Sequence, residues 1–101
     1  MDISRILSNP EFYNNKDICL RGYFSYNFED VAIYASQQSL NSSNTQKSIW
    51  IDLSDKFDIN TINLDEFDGK LVIVNGIFNS KSKGHLNQYK GTILVTSIVQ
   101  L

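Results

Sequence analysis

Tyr13-Asn14-Asn15-Lys16-Asp17-Ile18-Cys19-Leu20-Arg21-Gly22-Tyr23-Phe24 aligns without gaps with Phe67-Asp68-Gly69-Lys70-Leu71-Val72-Ile73-Val74-Asn75-Gly76-Ile77-Phe78. Each copy has an aromatic residue, a tight polar turn, a lysine, alternating apolar positions and then Gly-x-Phe. In the first copy Ile18, Leu20, Gly22, Phe24 and Tyr26 fall on one face, and Cys19, Arg21, Tyr23 and Ser25 on the other. That period of two marks a long strand with one face inward. In the second copy Val72, Val74, Gly76 and Phe78 oppose Leu71, Ile73, Asn75 and Ile77. A glycine in mid-strand marks a bulge or a sharp bend. Two long strands that each bend at a glycine are what a small closed barrel requires at its corners.

Working outward, Asn27-Phe28-Glu29-Asp30 reads as a turn and Val31 to Ser36 as the second strand. Ile49 to Leu53 is the third, supported by its β-branched and aromatic content. The second repeat supplies the fourth, over Gly69 to Asn79, and Gly91 to Leu101 the last. Asp2 to Pro10 reads as a short helix capped by Asp2, with Ile3, Ile6 and Leu7 on one face. Asn9-Pro10 ends or interrupts it, because proline biases its predecessor away from the helical region. Asn60 to Phe67 reads as a short helix or turn. Gln37 to Ser48 is nearly all Gln, Ser, Asn and Thr, with Leu40 its one apolar residue, and reads as a mobile loop. Asn79 to Lys90 reads as a polar, basic loop.

Composition bounds what such a chain can do. Its 101 residues, 42% hydrophobic and 20% charged, suit one domain with a modest core rather than a disordered tail or a two-domain enzyme. Nine Lys and Arg against eleven Asp and Glu give a net charge of -2, unlike a dedicated basic nucleic-acid binder. A single cysteine, Cys19, excludes an internal disulfide and a Cys-based zinc site, and reads as a small packing residue within its strand. One histidine, His85, is too few for a His-ligated metal centre. No metal or cofactor is expected. The start, Met1 to Leu7, lacks the cationic and then apolar regions of a secretory signal. The apolar runs fall far short of the ~20 residues that span a bilayer. A cytoplasmic protein without membrane contact is the expectation.

The same segments resemble the OB-fold-like small bacterial proteins grouped with the tRNA-anti-like families. The resemblance rests on Ile3 to Asn9 followed by Pro10 and Tyr13, Lys16 to Phe24, Ile33 to Ser36, Ile49 to Leu53, and Gly69-Lys70 leading to Gly76-Ile77-Phe78. The stretch Lys83-Gly84-His85-Leu86-Asn87-Gln88-Tyr89-Lys90-Gly91-Thr92-Ile93 looks like that grouping's Gly-His loop before a Gly-x-Ile strand. Asn87 departs from it, standing where a second loop glycine is expected, but asparagine tolerates the left-handed conformation. The resemblance implies a mainly β fold. The expected form is a five- to six-stranded OB-like β-barrel over residues 1–101, with a short N-terminal helix and a short helix or turn between strands three and four. It implies little chemistry.

The residues support binding better than catalysis. His85, flanked by Gly84 and Leu86 in a predicted loop, has no visible titratable partner, and no phosphate-cradling glycine loop or triad order is present. Between Asp52 and Asp68 six carboxylates face Lys56 alone. The economical explanation is a solvated turn that keeps the protein soluble. The functional one is an anionic surface for a toxin or other basic protein domain, with Asp55, Phe57, Asp58, Asp65 and Glu66 as the contact residues. Phe57 would then be an exposed anchor, or else it pins the segment to the core. Such a chain would be an immunity or antitoxin-type inhibitor, neutralising a cationic nuclease by occlusion. The alternative is a single-stranded nucleic-acid-binding OB module, with Tyr23, Tyr34 and Trp50 as stacking surfaces and Lys81, Lys83 and Lys90 on the phosphates. The acidic run opposes it.

Overall fold

The computed structural model describes residues 1–55, 57 and 63–101. Among these lie five strands, β1 (Asp17–Asn27), β2 (Asp30–Tyr34), β3 (Ser48–Leu53), β4 (Leu71–Asn79) and β5 (Thr92–Gln100). Three short helices accompany them, α1 (Ile3–Ser8), α2 (Pro10–Tyr13) and α3 (Gln37–Asn41). The strands form one sheet in the order β1-β2-β3-β5-β4, and β4 returns to β1, so the sheet closes on itself. All pairings are antiparallel except β3 with β5, which is parallel. The five strands expected from the sequence are all present, with ends shifted by one or two residues.

The inward positions carry the core. Ile18, Leu20 and Phe24 of β1 meet Val72, Val74 and Phe78 of β4, with Ile33, Ile49, Ile51, Ile93, Val95 and Ile98 from the other strands. Ile3 and Ile6 of α1, and Phe57 and Leu64 from the β3–β4 connection, complete it. The two glycines sit where strands come too close for a side chain. A Cβ on Gly22 would lie 2.7 Å from both Ile33 Cγ1 and the Tyr34 carbonyl oxygen. At Gly76 the β4–β5 ladder slips: Asn75 pairs with Ser97 but Gly76 with Val95, leaving Thr96 as the extra residue of a bulge. The Thr96 hydroxyl donates to the Asn75 carbonyl at 3.3 Å, occupying an acceptor where the ladder is broken.

The repeat in the sequence is a local two-fold in the structure. Residues 54 apart are equivalent in the alignment, and Leu20 pairs with its own counterpart Val74. Ile18 pairs with Gly76 and Gly22 with Val72, so the two copies lie antiparallel about an axis between Leu20 and Val74. Their turns obey the same relation. Asn15 and Gly69 both take positive φ, at 64° and 78°. The Asn15 N–H donates to the Phe78 carbonyl, and the Gly69 N–H to the Phe24 carbonyl. The Asn14 Oδ1 accepts from the Ser80 N–H, and the Asp68 Oδ1 from the Tyr26 N–H, both at 2.9 Å. Each turn thus caps the far end of the other copy's strand.

Three expectations need correction. Asp2 makes no side-chain cap, and Pro10 opens a second helix as its first residue, where its missing N–H costs nothing. The stretch read as a loop over Gln37 to Ser48 contains α3, nucleated by the Ser36 hydroxyl accepting the Ser39 N–H at 3.1 Å, and a 3-10 turn at Thr45–Lys47. Cys19 does not pack inward: it is exposed on the outer face of β1. In β2, Ala32, Ile33 and Tyr34 are all fully buried, so both faces of that strand are covered. The cause is a covering of its outer face by the β4–β5 loop. The predicted helix or turn at Asn60 to Phe67 contains a 3-10 turn at Leu64–Phe67, while its first three residues lie outside the described ones.

Candidate interaction surfaces

The strand directions sort the connections to two ends of the closed sheet. At one end β1 and β3 finish, and the β1–β2 turn lies beside the Leu64–Phe67 turn. The bond from the Tyr26 N–H to Asp68 ties these two together. Beyond it, at the hairpin tip, Phe28 is 96% exposed. Glu29, Asp55, Asp65, Glu66 and Asp68 are all exposed on connections at this end, and so is Lys70. Asp65 and Glu66 occupy the first turn of the 3-10 segment, whose start is capped by Asn63 Oδ1 accepting the Asp65 N–H at 3.2 Å. The Glu66 N–H donates to the Asn63 carbonyl at 3.1 Å, so Asn63 holds the N–H groups of both acidic residues.

Phe57 does not share this surface. Its ring is 8% exposed and belongs to the core, so it pins the segment rather than projecting from it. It follows β3 in the β3–β4 connection and joins the same buried cluster as Leu64. Asp58 lies outside the described residues. The exposed aromatic at this end is Phe28, which the sequence reading passed over. The signal was available: the centre of a two-residue turn favours Gly, Asn or Asp, and a phenylalanine there gains nothing locally.

The second surface is the outer face of β2 and β3. Tyr34, Ala32 and Tyr89 form a small buried cluster there, with Leu40 and Trp50 packed against it. Tyr89 comes from the β4–β5 loop, which lies across this face. Asp30 holds it down: one carboxylate accepts from Tyr89 OH at 2.6 Å, from Tyr34 OH at 3.0 Å and from Ser25 Oγ at 2.7 Å. Gly84, at φ 71°, brings the loop against Trp50, and a Cβ there would lie 2.5 Å from the Trp50 Cβ. His85 stacks on Trp50 with ring centroids 6.1 Å apart at 26°, and Tyr89 tilts against the same indole at 5.1 Å. Asn87 takes φ 60°, the left-handed conformation expected of it, and Leu86 beside it takes φ 55° while 71% exposed.

The structure therefore brings Tyr34 and Trp50 together, with Tyr23 paired to Tyr34 across the β1–β2 ladder. Tyr34 is fully buried and presents no ring face to solvent. Lys81, Lys83 and Lys90 are exposed on the covering loop. Among the described residues, no group of three or more His, Cys, Asp and Glu is arranged to hold a metal ion. Nor is any helix long and apolar enough to cross a membrane.

Burial first, then the Asp30 charge and hydrogen bond, holds the Tyr34 phenol well above its ordinary value of 10.0. Burial, then the hydrogen bond to Asp30, does the same for Tyr89. Both phenols stay protonated in the folded chain where the unfolded chain ionises them. The unfolded state then binds fewer protons, so their stabilisation is complete below pH 10.0 and declines as pH rises beyond it. The expected result is a urea midpoint that falls above that pH, with a shallower fall in Tyr34→Phe. An equal fall in that variant would remove Tyr34 from the account.

No family model matches this chain, and no curated protein matches it in sequence.

Proposed function

We propose that the chain is a non-enzymatic protein-binding module with an OB-like barrel. In this reading it is an immunity-type inhibitor whose acidic end seats on a cationic toxin domain, a nuclease above all, and occludes its active site. Five strands closed in the order β1-β2-β3-β5-β4, with a helical turn between β3 and β4, support the OB-like assignment. The observation that carries the functional reading is Phe28, almost wholly exposed on a hairpin tied by Asp68 to the carboxylates of Asp65 and Glu66. A protruding aromatic supplies the buried anchor of an interface, and surrounding charge steers a partner of opposite sign. Phe28 replaces Phe57 as that anchor, with Asp55, Asp65 and Glu66 retained.

The test uses the basic protein encoded beside this chain's gene in its native host. A stoichiometric complex that silences the partner's nuclease activity is expected. Phe28→Ala should weaken it at least about tenfold, a loss of ~1.4 kcal/mol or more. Asp65→Lys/Glu66→Lys should slow association and flatten its salt dependence. Undiminished nuclease activity in the presence of excess chain overturns the reading. Tight binding of a labelled single-stranded oligonucleotide at low salt, lost with Lys81, Lys83 and Lys90, would install the alternative in its place.

A further inference from the structure

The outer faces of β1, β4 and β5 form an ordered grid. Ile73 lies between Arg21 and Val99, and Ile77 between Asp17 and Leu94. The row separating them is polar and small: Asn75, between Cys19 and Ser97, donates to the Ser97 hydroxyl at 2.9 Å. Leu94, Ile77 and Val99 are 42%, 46% and 57% exposed, although each points straight out from a strand. Two apolar rows thus flank a polar one; the first carries Arg21, bridged on its outer side by Asp2, and the second ends in Asp17.

We infer that this face binds a second copy of the chain. Two copies stacked face to face are related by a two-fold axis lying between the sheets. If that axis runs along the Cys19–Asn75–Ser97 row, each strand lies over its own copy running the opposite way. Arg21 then meets Asp17 of the second copy, Ile73 meets Ile77, and Val99 meets Leu94. The alternative axis, along the strands, sets each Arg21 over a Val99 and leaves the charges unmatched. The face is self-complementary about the first axis in both charge and apolarity, which is what an isologous contact requires. The acidic end with Phe28 stays open.

The size of the grid sets the strength. Three strands about 5 Å apart and three same-face rows about 7 Å apart cover roughly 300 Å² per copy. That is less than half the area per partner of a standard stable complex, so the dimer is weak and reversible. Packed sheets lie about 10 Å apart, too far for Cys19 to form a disulfide with its counterpart but within reach of a short bis-maleimide.

Sedimentation equilibrium should show monomer at about 10 µM giving way to dimer towards about 1 mM, the range of a contact this small. Val99→Asp should weaken dimerisation at least about tenfold. Arg21→Asp should weaken it too, and adding Asp17→Arg should restore it, because the exchanged charges again face each other. These positions are exposed, and thermal melts confirm that each variant folds. Bis-maleimide should link Cys19 to Cys19, at a rate that falls in Val99→Asp. A protein still monomeric at the highest concentration overturns the inference. So does a dimer indifferent to both Val99→Asp and the charge exchange.

Discussion

Gly76→Ala should destabilise the protein by more than about 3 kcal/mol, beyond the usual cost of overpacking. The added methyl would fall on the Leu94 carbonyl, 2.8 Å from its carbon, and 3.0 Å from the Val95 Cα. These are backbone atoms of the neighbouring strand at the bulge, and no rotamer change can move them. Relief requires β5 to withdraw from β4, which opens the closed sheet. Gly69→Ala is the natural comparison. Nothing lies within 4 Å of a Cβ there, but its φ of 78° strains any L side chain, so a loss of about 1 kcal/mol is expected. Urea denaturation of the two variants gives the answer. A Gly76→Ala protein no less stable than Gly69→Ala would mean that β5 yields more easily than its ladder implies.

Asp30→Ala should be nearly as damaging, at about 3 kcal/mol, since stranding a buried hydroxyl costs about 1–3 kcal/mol. Two phenols converge on this carboxylate, and Tyr34 is too deeply buried for water to replace it. The loss would also release Tyr89, and with it the loop over β2 and β3. Hydrogen exchange should accelerate at the Tyr89 N–H, which donates to the Lys83 carbonyl at 2.9 Å within that loop. Tyr89→Phe breaks only the 2.6 Å bond and leaves Asp30 with Tyr34 and Ser25, so its cost should be nearer 1 kcal/mol. Equal effects of the two substitutions would show that the carboxylate is not the shared support the geometry describes.

The strands were legible because their signal is local. Alternation over Ile18 to Phe24 and Val72 to Phe78 depends on nothing beyond the strand itself. The repeat was legible for a different reason: both copies meet the same steric demand, a left-handed turn residue and a glycine at the close approach. Asparagine at position 15 and glycine at position 69 answer that demand with different side chains. What stayed hidden depended on distant partners. Nothing near β2 announces that Tyr89, 59 residues from Asp30, will bury its outer face. The helix α3 has no apolar stripe, and its capping serine lies in a run of equally polar residues. Phe57 and Phe28 both stand beside a carboxylate, so their neighbours do not tell them apart. Only the packing shows which ring goes inside.

The two pairings of β5 have a consequence for how the molecule comes into being. Of the five described strands β5 is translated last, and it joins β3 and β4, whose open flanks depend on it. A nascent chain on the ribosome can form the β1–β2 hairpin early. It cannot seal the sheet until Gln100 has cleared the exit tunnel, so Ile49, Ile51, Val74 and Phe78 have no completed interior to enter before then. Closure of the sheet is therefore a late, all-or-none step rather than a progressive one. The interval before that closure is when apolar strand surface stays open to chaperones.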